Sequence, residues 1–283
     1  MPTAEELINR FTSLKTLPHV AIRVTQLVNS EKSTMQDFEE VIRLDPVLVT
    51  RLLRLVNSPY FGLVSKVESI SKAVVYVGMK NLRNLVTVEA LRQLFTGREG
   101  EGFSRKNLWL HSATVAILAE MIAKRIFGRE GEDYFLAGII HDIGLIVEDQ
   151  LQEEQLLAAC AMYRQGEESL MTCEQKAIGT DHCQVGVALA RDWKLPDEVL
   201  AAVRCHHDHE RKFPLTSATS ILQLAEYMAG KLGYTTIPGK IDPLPPPLVR
   251  HVRNMMANYK IIVRDLPQEM AKAKDLYETD AGV

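Results

Sequence analysis

The sequence predicts an all-α fold, and three observations carry that expectation. Apolar residues recur at helical spacing along nearly the whole chain. No alternating apolar-polar run bounded by hairpin turns is present. Cap residues, first-turn prolines and stop glycines fall at helix-length intervals. At 283 residues the chain is long enough for two cores. The expected division is residues 1–100 as an N-terminal helical bundle, 101–235 as a second helical domain and 236–283 as accessory C-terminal helices.

In chain order, Ser33 with Gln36 reads as a capping box ahead of a helix carrying Phe38, Val41 and Ile42. Asp45-Pro46 opens the next helix, a cap residue followed by a first-turn proline. That helix presents Leu48, Leu52 and Leu55 on one face and stops at Asn57-Ser58-Pro59, because proline cannot continue it. A short helix from about Ser69 can be closed by Gly78 in a left-handed conformation. Another helix is expected from Lys80 to Phe95, after which Gly97, Gly100 and Gly102, with charges between them, mark the boundary near residue 100. Toward the end, Pro243-Leu244-Pro245-Pro246-Pro247 introduces a helix with Leu248, Val252, Met255, Tyr259 and Ile262 on one side.

Composition narrows the function classes. Hydrophobic content of 46% with 24% charged residues is that of an ordinary soluble globular protein. No basic, apolar leader and no stretch of bilayer-spanning length are present, so a cytoplasmic protein without a membrane partner is expected. Cys160, Cys173, Cys183 and Cys205 form no Cys-x-x-Cys pair, which argues for buried free thiols rather than disulfides or a zinc knuckle. Residues 1–110 carry a net +4 and residues 111–283 a net −7, with no clustered basic face, so nucleic acid is not an expected partner.

The chemistry concentrates in the second half. In Gly138-Ile139-Ile140-His141-Asp142-Ile143-Gly144 a histidine and an aspartate lie side by side in an apolar setting. Such a pair is commonly a helix cap or a surface pair, but a divalent cation would satisfy both groups. His111 shares a helical stripe with Val115, Leu118 and Ile122, which points its imidazole inward. Asp181 can cap a helix, with Gln184 three residues on, in which His182 stripes with Val185, Gly186, Leu189 and Trp193. Leu195-Pro196-Asp197-Glu198 starts the helix that ends at His206-His207, where a positive imidazole would also suit the helix dipole. Glu226 sits among Leu222, Leu224, Ala225 and Met228, a place more often taken by a solvated face residue. Buried together, these imidazoles and acids would be costly unless one or two cations satisfied them. Nitrogen and oxygen donors without regular thiolates suit Fe, Mn, Zn or Ni.

The order His111, His141-Asp142, His182, His206-His207 and Glu226 resembles the HD superfamily of metal-dependent phosphohydrolases, including its HD-GYP branch. Leu17-Pro18, Leu44-Asp45-Pro46, Arg51-Leu52-Leu53-Arg54-Leu55-Val56-Asn57-Ser58-Pro59-Tyr60-Phe61-Gly62 and Ile70-Ser71-Lys72-Ala73-Val74 resemble the HDOD domain. Val185-Gly186, Leu189-Ala190, Trp193 and Leu195-Pro196 continue that match, over roughly residues 10 to 230. The resemblance implies an HD-like fold with an added N-terminal bundle and a bacterial signalling or regulatory role. It implies metal at His111, His141, Asp142, His182, His206, His207 and Glu226, with Asp142 as the catalytic residue.

Most HDOD domains have lost the metal residues, whereas this chain keeps the whole order. It departs from HD-GYP enzymes at Leu145, where they place a phosphate-holding lysine, and at Glu226, where they place an aspartate. It also lacks the Gly-Tyr-Pro signature after His206-His207. The expected function is therefore a regulatory HDOD protein with one or two metal ions at a retained HD site and a protein partner on the N-terminal bundle. The alternative is a metal-dependent phosphohydrolase, a phosphodiesterase or phosphomonoesterase acting on a nucleotide-like substrate. There, His111, His141, Asp142 and Glu226 would hold the catalytic ion and His182, His206 and His207 a second. Arg204, Arg211 and Lys212 are the nearest cations in sequence for a phosphate ligand. A haem or di-iron oxygen-activating centre shares the same ligand types.

Overall fold

The computed structural model describes residues 1–12, 19–30, 32–92, 94–95, 102–166, 168–238 and 241–274. Among them are sixteen α-helices and no β-strand, so the expected fold class is the observed one. In chain order they are α1 (Ala4–Thr12), α2 (His19–Val28), α3 (Met35–Ile42), α4 (Pro46–Val56), α5 (Ile70–Val77), α6 (Met79–Arg92), α7 (Arg105–Arg125) and α8 (Glu132–Ile140). They continue as α9 (Ile143–Leu151), α10 (Glu153–Gln165), α11 (Leu170–Ala177), α12 (His182–Asp192), α13 (Asp197–Cys205), α14 (Ala218–Lys231), α15 (Pro246–Asn254) and α16 (Met256–Lys272). No described helix is long and apolar enough to cross a membrane.

The chain forms two compact units, and neither is a single stretch. One joins Met1–Thr16 to Phe95–Arg264, the other Leu17–Leu94 to Asp265–Val283. The consecutive stretches 1–100, 101–235 and 236–283 order the sequence but do not coincide with these bodies. Glycine and charge mark where a chain can bend, whereas a compact unit is decided by which apolar faces meet.

In the unit of residues 17–94, α2 packs on α3 and α6, α3 on α5, and α4 on α5 and α6. Phe38, Ile42, Leu52 and Leu82 are fully enclosed there. The capping box lies one residue beyond its predicted place: the Thr34 hydroxyl accepts from Asp37 N–H while the Asp37 carboxylate accepts from Thr34 N–H at 2.7 Å. Both spacings fit the sequence pattern, and the charged acceptor at 37 makes the stronger reciprocal bond. Asp45 caps α4 and Ser69 caps α5, as predicted, and Gly78 ends α5 at φ 81°. Asn57 holds the following loop, donating to Val67 C=O and accepting from Val67 N–H, each at 2.8 Å. Arg51 pairs with the buried Glu89 carboxylate. Motif residues Arg51 and Asn57 therefore build the bundle. Leu17, Pro18, Gly97 and Gly100 lie outside the described residues.

In the larger unit α7 is central, packed by α8 and α14, both of which also contact α13. Helix α12 lies on α9 and α13, α1 covers α9 and α12, and α10 bridges α9 and α11. Val115, Leu118 and Ile122 are fully buried, as predicted, but so are nearly all other α7 residues from Leu108 to Ala123. A helix enclosed all round lies in a core rather than on a surface. The single helix predicted after the proline run is two helices, because Met255 at φ −111°, ψ 21° leaves the helical well. Leu248, Tyr259 and Ile262 of the predicted stripe are nonetheless buried.

Candidate metal centre

The centre starts at a helix break. Helix α8 ends at Ile140 and α9 begins at Ile143, so His141 and Asp142 occupy the junction. Asp142 stands in the N-cap position of α9 but makes no cap bond, which leaves its carboxylate free. The flanking glycines explain how other elements reach this junction. A Cβ on Gly138 would lie 2.4 Å from Ala116 Cα, and one on Gly144 would lie 2.0 Å from the His182 carbonyl oxygen. Only glycine allows α8 to press on α7 beside His111 and α9 to press on the start of α12 at His182.

All seven sequence-predicted residues come together, in two clusters that meet at Asp142. In the first, His111 Nε2 and His141 Nε2 are 3.2 Å apart, and Glu226 Oε2 lies 3.3 and 3.1 Å from them. Asp142 Oδ2 faces the same space, 3.6 Å from His111 Nε2 and 3.3 Å from His141 Nε2. In the second, Asp142 Oδ1 lies 3.6 Å from His182 Nε2 and 3.5 Å from His206 Nε2, with His207 beside them. One carboxylate thus offers each of its oxygens to a different cluster.

Every imidazole is oriented through its other nitrogen. His111 Nδ1 meets Tyr234 C=O at 2.8 Å, His141 Nδ1 meets Gly138 C=O at 2.8 Å and His206 Nδ1 meets Val203 C=O at 2.9 Å. His182 Nδ1 lies 2.7 Å from Glu174 Oε2, and His207 Nδ1 lies 2.8 Å from Asp242 Oδ2. Carbonyls and carboxylates only accept, so each Nδ1 carries a proton and each Nε2 is the nitrogen turned toward the clusters. This is the arrangement in which an outer acceptor fixes a metal-binding tautomer.

The electrostatics describe an interior that wants a cation. Burial opposes charge on His141, but the Asp142 and Glu226 carboxylates outweigh it and raise its pKa to about 10. Burial likewise works against charge on His111, which the Glu226 carboxylate overcomes, raising its pKa. Asp142 and Glu226 are held well below the carboxylate range, against burial, by His141 and by His111 respectively. His206 goes the other way, to about 3, through burial and its neighbour His207. A protonated His206 would be needed to exploit the dipole of α13, so that reading of the helix end does not apply to it. Glu226 is not a solvated face residue: it points into the first cluster, and its shielded Oε2 has no hydrogen-bond donor. The residues therefore fit divalent metal, supplying mixed N/O donors and five imidazole Nε2 atoms directed inward, some of which hold a proton that a metal ion would displace.

Sequence reasoning missed the outer shell. Glu174 is fully buried and holds both the His182 ring and its backbone N–H, yet no spacing connects it to the motif. The loop after α14 supplies Tyr234 C=O, the Thr236 hydroxyl at 3.4 Å from Asp142 Oδ2, and Asp242. All four cysteines are free and buried, as expected, but Cys183 Sγ also lies 3.5 Å from His182 Nε2. A cavity of about 80 Å³ opens on the centre, walled by Leu145, Tyr163, Leu170, Met171 and Ile237. A groove of about 480 Å³ shares His209 and Gln223 with it and carries Arg211, Lys212 and Arg250, with Glu210 and Phe213. Of the cations singled out in sequence, Arg211 and Lys212 line this groove and Arg204 lines neither space.

Fold and centre together define an all-helical protein built round a bridged histidine–carboxylate site. The HDOD domain model matches residues 14–209, and the chain belongs to the HDOD family. An uncharacterized protein of Treponema pallidum is 28% identical over 244 residues, which is 83% of this chain and 46% of that one, so this chain spans under half the relative's length. Among solved structures, an HDOD domain protein of unknown function from Geobacter sulfurreducens superposes with TM-score 0.76 at 22% identity, covering 96% of this chain and 98% of that one. A "putative phosphohydrolase" from Shewanella amazonensis superposes with TM-score 0.65 at 25% identity, covering 95% and 97%.

Proposed function

We propose that this chain is an HDOD regulatory protein whose centre holds two divalent transition-metal ions, drawn from Fe, Mn, Zn or Ni, and hydrolyses a phosphoester there. The observation that carries the reading is Asp142, whose two oxygens face two separate and otherwise complete ligand clusters. Bound metal ions acidify a water ligand and polarise a phosphoryl oxygen. On the protein side, His111, His141 and Glu226 hold the first ion, and His182, His206 and His207 the second. Asp142, with one oxygen toward each cluster, would be shared between the two ions, which makes it the catalytic residue of this reading. The small cavity admits a phosphoryl-sized group, with Leu145, Leu170, Met171 and Ile237 as the apolar part of its lining. A longer nucleotide-like ligand would run into the groove, where Arg211, Lys212 and Arg250 supply the positive charge that Leu145 does not.

A second reading, in which metal serves stability or sensing without turnover, is favoured by the long HDOD match together with Leu145. The leucine removes from the cavity the cation that a lysine would offer. Either reading keeps a protein partner on the N-terminal bundle, whose exposed Leu44, Val47, Val64 and Tyr76 suit one, and a cytoplasmic location. The test is turnover of bis(p-nitrophenyl) phosphate and of nucleotides by protein loaded separately with Mn, Fe or Ni, beside folded His141→Ala and Asp142→Ala variants. Metal-dependent hydrolysis lost in both variants is expected. Stoichiometric metal without hydrolysis under any loading would leave the sensing reading in its place.

A further inference from the structure

A third group of ligand atoms stands at the mouth of the cavity, outside the seven residues of the centre. Asp242 Oδ2 lies 2.8 Å from His207 Nδ1 and 3.5 Å from His209 Nε2, and the three residues offer atoms within 4.8 Å of one another. The aspartate alone would be explained by His207, whose ring it orients. His209 is not explained in that way. Its ring is 27% exposed, yet both its nitrogens are shielded from solvent: Nδ1 has no hydrogen-bond partner, and Nε2 has the long 3.5 Å approach to Asp242. A shielded imidazole nitrogen without a partner is costly, and its nearest charged neighbour is the carboxylate that already serves His207.

We propose that His209 and Asp242, with His207 as the shared third ligand, form a separate cation site of the two-histidine, one-carboxylate kind. Two imidazoles and one carboxylate suit a borderline divalent ion such as Zn²⁺, Ni²⁺ or Co²⁺ rather than Mg²⁺ or Ca²⁺. The site binds more weakly than the enclosed centre for two reasons. His207 must release its Nδ1 proton to join it, and all three side chains are partly exposed, so water competes. Its position gives it a consequence. A cation there occupies space between three residues that all line the cavity over the centre, so filling the site reduces the room left in that cavity.

The inference shares His207 with the proposed centre but does not depend on hydrolysis. Its test is uptake of Zn²⁺ by full-length, metal-stripped protein in equilibrium dialysis with elemental analysis, across a range of free Zn²⁺. Wild type is expected to show one equivalent binding at least tenfold more weakly than the remainder. His209→Ala is expected to lose that equivalent alone. Asp242→Asn keeps an acceptor for His207 Nδ1–H while giving up the charge, and is expected to weaken the same equivalent well beyond tenfold, while the tight ones are retained with at most the modest loss that follows from a neutral orienting partner. A weak equivalent that persists in folded His209→Ala, or is absent from wild type, would overturn the proposal. Loss of the tight equivalents in Asp242→Asn with no change in His209→Ala would overturn it too, reducing Asp242 to an orienting residue. Wild type that binds only the weak, His209-dependent ion would instead refute the paired centre and leave this site standing.

Discussion

His111 Nε2 and His141 Nε2 face each other at 3.2 Å while the Nδ1 of each is committed to a backbone carbonyl. Were both rings neutral, two lone pairs would meet across that gap, because each ring has one N–H and it is on Nδ1. Only a proton or a cation between them removes the repulsion. Glu226 Oε2, 3.1 Å from His141 Nε2, completes a space that is negative on every side.

Metal should therefore stabilise the fold. Binding to the native state alone adds about 2.7 kcal/mol at a hundredfold excess over Kd. Chelation is expected to lower the melting temperature of wild type by several degrees, and to leave metal-free His141→Ala unmoved. An equal shift in both proteins would show that the chelator acts elsewhere.

Gly144 should not tolerate a side chain. A Cβ there would lie 2.0 Å from a backbone carbonyl that cannot swing aside. Overpacking of this kind costs about 1–3 kcal/mol and moves the backbone. Gly144→Ala is expected to show a lower denaturant midpoint and, if folded, reduced metal content, because the two segments forced apart carry Asp142 and His182 respectively. Metal content equal to wild type in a destabilised variant would separate the packing role from the site.

Glu174 is expected to act on metal affinity without touching the ion. It fixes the His182 ring through Nδ1 at 2.7 Å. Loss of such an outer partner commonly costs about 10–100-fold in affinity. Glu174→Gln, which keeps an acceptor oxygen but no charge, should fall at the smaller end of that range and Glu174→Ala at the larger. A competition titration against a chromogenic chelator would read the difference, and identical affinities in the two variants would remove Glu174 from the account.

The thiols are expected to be inert. Burial raises Cys160 to about 12 and Cys183 to about 11, in the latter case against the pull of His182. A raised thiol pKa keeps the sulfur protonated and unreactive until pH approaches that value. Native protein at pH 8 should therefore react slowly or not at all with a disulfide reagent, and denatured protein should show all four thiols. Fast labelling of Cys183 in native protein would mean that the interior beside His182 opens.

Much of this protein follows from local pattern. The helical class, the caps at Asp45, Ser69 and Asp181, and the inward direction of His111 and His182 are set within a turn or two of each residue. Capping and periodicity act over that range, so sequence alone determines them. Sequence also singled out all seven residues that meet in the centre, because burying imidazoles and acids without a partner is costly wherever they fall. The choice of Thr34 over Ser33 as a cap is local too, made by the charged acceptor at Asp37, whereas the division into two discontinuous units was decided by how helices pack. So was the outer shell. Glu174, Tyr234, Thr236 and Asp242 lie on segments with no spacing relation to the histidines they orient. Their roles exist only once Gly138 and Gly144 let the helices close to backbone contact, a distance no linear pattern records.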